Sequence, residues 1–271
     1  MFQHVKRLPK NKERLFSNVS SLTVLQIFIY ILPLITLPYL VNVLGIEIFG
    51  KVVFAQAVMV YFSLIVDFGF AMSATREIAI NRADREKVGE IYGSVMCIKF
   101  ILTIASFFIF AIIIFSFEKF SQDWELYYLT FLSVIAQAFF PVWFFQGMEK
   151  MKYIVIINIS SRVLFTVLIF VVINNEADYL YVPILNGLGM LIGSLASIVI
   201  VRNKFQQKIK LYSYKILRKY LLDSKQFFIS RVSVSLYAAS NIFILGIFTN
   251  NTIVGYYSIA EKLYLAIQQM Y

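Results

Sequence analysis

YIVIINISSRVLFTVLIFVVI, residues 153–173, carries a single charged side chain, Arg162. A hydrocarbon core of about 30 Å needs about 20 apolar residues per helical span, so this run reads as a transmembrane helix. Seven further runs of the same kind surround it, near 19–40, 52–72, 91–116, 125–146, 179–201, 226–248 and 253–271. No comparable length is left over for a soluble domain. The expected fold is all-α, a polytopic transmembrane helix bundle of about eight spans.

The charges between these runs alternate. Nineteen Lys and Arg residues fall in every second gap, grouped as Lys6–Arg14, Arg76–Lys87, Lys150–Lys152 and Arg202–Lys225. The intervening gaps hold only Lys51 and Lys119, beside the acidic Glu47, Glu118, Asp123, Glu125, Glu176 and Asp178. Basic loops stay on the cytoplasmic side, so the N-terminus is expected to be cytoplasmic. The net charge of +10 is then mostly an orientation signal with affinity for the anionic headgroups of membrane lipids, and no nucleic acid is expected as a partner. The first apolar run is too long for a signal-peptide core and lacks a small-residue cleavage pattern.

Composition removes several kinds of chemistry. Cys97 is the only cysteine and His4 the only histidine, which excludes an internal disulfide, Cys-based metal sites, His-dependent triads and HExxH centres. An enzyme would have to rest on carboxylates, and neither Asp67 nor Glu261 has a partner carboxylate at a recognisable spacing. The chain is read as a non-enzyme without cofactor or metal.

A short internal echo bears on organisation. Leu44-Gly45, Gly50 and Ala55-Gln56 recur as Leu245-Gly246, Gly255 and Ala260-Glu261. Repeats of six spans would preserve orientation and be related by an axis along the membrane normal. The expected plan is a basic tail over 1–18, a six-helix lobe over 19–201, a basic cytoplasmic linker over 202–225, and the first two helices of a second lobe over 226–271. The last run ends in Gln268-Gln269-Met270-Tyr271 without a basic anchor, which points to a fragment of a longer protein that lacks its C-terminal lobe here. A natural eight-helix protein is the alternative.

Charged side chains at membrane depth cost about 3 kcal/mol each by insertion scales and usually face the bundle interior or water. Arg162 stands roughly 14 Å into its span at helical rise, with Asn158 one turn back on the same face. Arg231 lies one turn from Ser235. Lys99 and Arg231 are near enough to the cytoplasmic edge to snorkel, Glu261 and Lys262 are adjacent and able to neutralise one another, and Asp67 can pair with Arg76. If the two arginine stripes share a cavity, its cargo is anionic, because guanidinium groups bind phosphate oxygens bidentately. Pro33, Pro38 and Pro141 are expected to kink the first and fourth spans, and Gly189, Gly193 and Ser197 to mark a close helix contact.

Four strings carry a family resemblance: Leu37-Pro38-Tyr39-Leu40 running into Leu44-Gly45 and Phe49-Gly50; Asp67-Phe68-Gly69-Phe70 leading into Ser73–Ala79; Trp143–Met151; and Val254-Gly255-Tyr256-Tyr257 with Ala260-Glu261-Lys262. Together they resemble the polysaccharide or O-antigen flippases (Wzx type) of the multidrug/oligosaccharidyl-lipid/polysaccharide exporter superfamily. The resemblance implies two pseudo-symmetric lobes around a central cavity in the bacterial inner membrane. It also implies a cargo, an oligosaccharide repeat unit on undecaprenyl pyrophosphate, carried from inner to outer leaflet by alternating access for surface polysaccharide and lipopolysaccharide biosynthesis. Arg162, Arg231, Lys99, Lys262 and Asn158 are then the expected substrate-binding residues. Asp67 and Glu261 are the expected carboxylates for coupling to a proton or sodium gradient, and polysaccharide polymerase and chain-length proteins are expected partners. The alternatives are a drug or lipid-precursor exporter of the same superfamily, or a truncated, non-functional membrane fragment.

Overall fold

A computed structural model of the chain describes residues 8–238 and 240–268. Every regular element in it is helical: α1 (Leu8–Asp67), α2 (Phe70–Ile80), α3 (Arg85–Ser116), α4 (Glu118–Ser121), α5 (Trp124–Phe139), α6 (Val142–Gly147), α7 (Met151–Val172), a 3-10 turn (Glu176–Leu180), α8 (Tyr181–Lys204), α9 (Tyr214–Ala238), α10 (Ser240–Phe248) and α11 (Asn251–Gln268). Of the expected tail 1–18, residues 1–7, including His4, lie outside the described residues, as do 269–271 of the last run; from Leu8 the chain is already helical.

By length and apolarity the described residues contain five candidate spans, or six if the bent pair α9 and α10 crosses as one. The expected count was eight. The first two expected runs form one 60-residue helix with a single break at Gly45, whose φ of 72° and ψ of 161° lie in a region essentially reserved for glycine. Both arms line one cavity, from Leu32 and Thr36 on the first to Gln56 and Asp67 on the second. Pro33 and Pro38 do not break the helix; the backbone passes through both with helical angles. Pro141 acts as expected, since helix α5 ends at Phe139 and α6 restarts at Val142. Helix α11 is not among the candidate spans, for it carries Glu261, Lys262 and three tyrosines in 18 residues.

The gaps sort into two ends of the bundle. At one, Lys51 forms an ion pair with Asp123 at 2.9 Å, the Lys119 ammonium donates to the carbonyls of Gly246, Ile247 and Thr249, and Gly45 faces the Glu176 carboxylate. At the other, Arg82 pairs with Glu149 at 2.7 Å, Arg85 donates to Gln206, and the Tyr220 hydroxyl donates to Glu90 at 2.8 Å. The alternation of acidic and basic gaps therefore has a spatial counterpart among the described residues, with the runs from 52–72 to 226–248 connecting the two ends.

Small residues set the helix spacing. Gly187 of α8 meets Leu132 of α5, and Gly189 and Gly193 meet Ser161 of α7. Ser194 donates to the Ala136 carbonyl at 2.6 Å. Helix α8 is thus clamped between α5 and α7 with little side-chain bulk, the packing that works between helices where lipid removes the hydrophobic drive to associate. Two apolar cores result, one around Phe54, Phe62, Phe110 and Phe131, the other around Tyr92, Trp143, Phe144 and Phe145. Large apolar side chains such as Phe108, Ile112, Phe115, Val171 and Leu195 point outward. Such a surface suits lipid rather than water, and the chain is a multi-pass membrane protein.

Candidate functional site: a basic cavity

A half-open cavity of about 840 Å³ lies between the helices of the bundle. Helix α7 presents to it Asn158, Ser161, Arg162, Phe165 and Ile169, a stripe at helical spacing. The second arm of α1 does the same with Val52, Gln56, Ser63 and Asp67, and α8 with Asn186, Met190 and Ser194. The remaining wall comes from α5, the first arm of α1, Lys99 of α3, Trp143 of α6, Lys262 of α11, and Arg231 with Ser235 on α9, just before that helix bends by 55° into α10.

Four basic side chains, Lys99, Arg162, Arg231 and Lys262, and one carboxylate, Asp67, line this space. Lys99 is 3% exposed and its ammonium lies 3.4 Å from the Asp67 carboxylate. A lysine this buried is costly unless paired, so the pairing explains how Lys99 is held at that depth. Asp67 does not pair with Arg76, which reaches Glu77 instead and stacks over the Phe227 ring. Lys262 lies over the Phe49 ring, 5.2 Å from its centroid. Among the described residues neither Arg162 nor Arg231 makes an ion pair. Asn158 donates its side-chain amide to the Ile154 carbonyl at 2.9 Å, which ties it to its own helix and leaves its carbonyl oxygen as an acceptor.

Six of the seven expected site residues therefore share one cavity; Glu261 does not line it. Three lining amides, Gln56, Gln137 and Asn186, were not among the expected residues. The signal for them was present, since an uncharged amide within an apolar span seeks the interior for the same reason a charge does. Trp143 also lines the cavity, and its indole N–H has no hydrogen-bond partner among the described residues.

The four strings that carry the resemblance are packing devices, and they pair off. Gly50 abuts Asn251 and the Gly255 amide, and Gly255 abuts Ile46. Because Gly50 corresponds to Gly255 and Ile46 to Asn251 at one constant offset, the contact is reciprocal, as at a two-fold interface between like units. The other two strings meet through Gly147, which packs on Ile78 and the Thr75 carbonyl, and just beyond the first of them Arg82 donates from its Nε to the Gly147 carbonyl at 2.9 Å. Gly69, with φ of 78°, lets the backbone of Phe228 approach closely.

Residues 15–271 match the polysaccharide biosynthesis protein family. Over 259 residues, 95% of this chain and 62% of the relative, the chain is 31% identical to a protein of Escherichia coli (strain K12) named "Putative O-antigen transporter". A protein of Shigella dysenteriae with the same name is 27% identical over 88% of this chain and 60% of its own length. The chain thus spans about three-fifths of the length of these relatives. No solved structure matches. With the family match running through both arms of α1, the cavity helices and α11, this chain belongs to the polysaccharide biosynthesis protein family.

Proposed function

We propose that the chain is the cavity-bearing part of an O-antigen flippase, moving a lipid-linked oligosaccharide across the bacterial inner membrane without chemical change. The observation that carries this reading is the excess of four basic side chains over one carboxylate in a cavity walled by spanning helices. A pyrophosphate-linked glycan is anionic at its headgroup and rich in hydroxyls. The guanidinium groups of Arg162 and Arg231 bind its phosphate oxygens, with Lys99 and Lys262 adding charge, while Asn158, Gln56, Gln137 and Asn186 offer amides to the sugars. The isoprenoid tail stays in lipid.

In this reading residues 19–201 are the first lobe, 202–225 the cytoplasmic linker and 226–271 the start of the second lobe, and the N-terminus is cytoplasmic because the end bearing Arg82, Arg85 and the linker is the basic one. The lobes rock about the cavity so that it opens to one side at a time. Phosphate entering beside Lys99 competes with Asp67, which frees that carboxylate to take a proton or sodium ion and couples transport to the gradient. Polymerase and chain-length proteins receive the glycan on the outer side.

The test is Arg162→Ala and Arg162→Lys in the full-length protein, with surface polysaccharide measured at equal membrane expression. Loss of a hydrogen bond to a charged group costs about 1.5–3 kcal/mol, so Arg162→Ala is expected to lower transport by at least about 10- to 150-fold. Arg162→Lys, which keeps the charge and loses the fork, is expected to fall between. Normal polysaccharide with both variants removes Arg162 from the mechanism.

A further inference from the structure

Outside the cavity, the segment from Lys208 to Leu222 combines two kinds of exposed side chain. Lys208, Lys210, Lys215, Arg218 and Lys219 are exposed, and among the described residues Lys208, Lys210, Lys215, Arg218 and Lys219 form no ion pair. Between them stand Leu211 at 87% exposure, Tyr214 at 78%, Leu222 and Ile209. A merely solvated linker gains nothing by holding leucine and tyrosine in water. An interfacial segment does, because apolar side chains enter the headgroup and acyl boundary while lysine and arginine stay at phosphate level.

The segment is held in place from behind. The Tyr220 hydroxyl donates to Glu90 at 2.8 Å, the Ser224 and Ser73 hydroxyls are 2.7 Å apart, and the backbone around Lys210 packs on Gly93 of α3. With one face of α9 fixed this way, the other presents a shallow cleft of about 340 Å³ lined by Tyr214, Lys215, Arg218, Lys219, Leu222 and the lone acid Asp223. A candidate span, Glu176–Lys204, ends just before the segment, and the bent pair α9 and α10 starts within it at Tyr214, so a leaflet surface lies within reach.

We propose that this cleft binds the headgroup of an anionic phospholipid of the leaflet at the basic end, anchoring the junction between α8 and α9 to the membrane face. Three cations meet the phosphate and its neighbours, and Leu211, Tyr214 and Leu222 enter the boundary beside them. The anchor steadies the first turns of α9, the helix that carries Arg231 into the cavity.

The experiment uses the full-length protein in detergent, with a bimane label on Leu211→Cys in a background lacking native cysteine, titrated with brominated phosphatidylglycerol or brominated phosphatidylcholine. Phosphatidylglycerol is expected to quench the label at lower concentration than phosphatidylcholine, and more weakly as salt rises. At about 5-fold per cation near the surface, Lys215→Gln/Arg218→Gln/Lys219→Gln is expected to weaken phosphatidylglycerol by on the order of 100-fold and to leave phosphatidylcholine unchanged. The charge-keeping variant Lys215→Arg/Arg218→Lys/Lys219→Arg is expected to retain binding, which separates charge from folding. Equal quenching by the two lipids, or unchanged phosphatidylglycerol binding in the glutamine variant, overturns the proposal. So does full competition by millimolar inorganic phosphate, which would make the cleft a site for free anions, or charge-dependent capture of a protein partner without lipid preference.

Discussion

Replacing Gly50 with alanine tests the reciprocal contact between α1 and α11. A Cβ at residue 50 would overlap the Asn251 carbonyl oxygen and stand 2.8 Å from both the Asn251 carbonyl carbon and the Gly255 amide nitrogen, where carbon contacts settle at about 3.5–4.0 Å. These are backbone atoms, so no rotamer change relieves them, and the helices have to part by about 1 Å. Overpacking costs about 1–3 kcal/mol, with the upper half of that range expected here, against a gain of about 1 kcal/mol in helix propensity. The net loss is about 1–2 kcal/mol, or about 3–6 °C in thermal midpoint for a chain of this size. Gly255→Ala pushes the same helices apart, through the Ile46 carbonyl at 2.5 Å. The double variant is therefore expected to lose less than the sum of the singles, with a coupling of about 1 kcal/mol. The assay is the thermal midpoint of detergent-purified full-length protein, with Gly89→Ala as control, since a Cβ there meets only the end of the Gln207 side chain. A neutral Gly50→Ala, or a double variant that is strictly additive, would refute the close reciprocal packing.

Asp67→Asn leaves Lys99 buried without its counter-charge and is expected to cost about 3 kcal/mol, the lower end for a broken buried pair because Asp67 borders the cavity; adding Lys99→Met is expected to restore most of the loss in the same thermal assay, and equal stability of the single and double variants would disprove the pairing. Gly45→Ala places a side chain at φ 72°, ψ 161° and is expected to destabilise by about 1–3 kcal/mol, while Pro38→Ala, where the helix is already continuous, is expected to shift the midpoint far less.

Much of this architecture was legible in the chain. Long apolar runs and alternating charge foretold a helical bundle with two chemically distinct ends, and the rarity of charge at membrane depth singled out Asp67, Lys99, Arg162, Arg231 and Lys262 before any cavity was known. The glycine echo at 45–56 and 245–261 marked two stretches that lie against each other, Gly50 on Asn251 and Gly255 on Ile46. Other features were not legible. Runs that are apolar all round have no hydrophobic periodicity to reveal their inward face, so the turns that carry Val52, Ile169 and Met190 to the cavity could not be read from the chain. Pro33 and Pro38 were the expected kink sites of the first span, yet the one residue of α1 with non-helical angles is Gly45.

What the sequence by itself determined is the class of molecule and the sign of its interior. Whether a segment prefers lipid, and whether a buried charge must find company, depends on the segment's own composition, which is local and additive. Only the tertiary structure decided which company each charge keeps: Asp67 with Lys99 and not Arg76, Arg162 and Arg231 facing one cavity without a carboxylate partner among the described residues, Glu261 away from it. Those outcomes turn on how closely the helices approach and how each is rotated about its axis. Both depend on steric fit at contacts such as Gly50 with Asn251 and Gly193 with Ser161, between residues far apart in the chain.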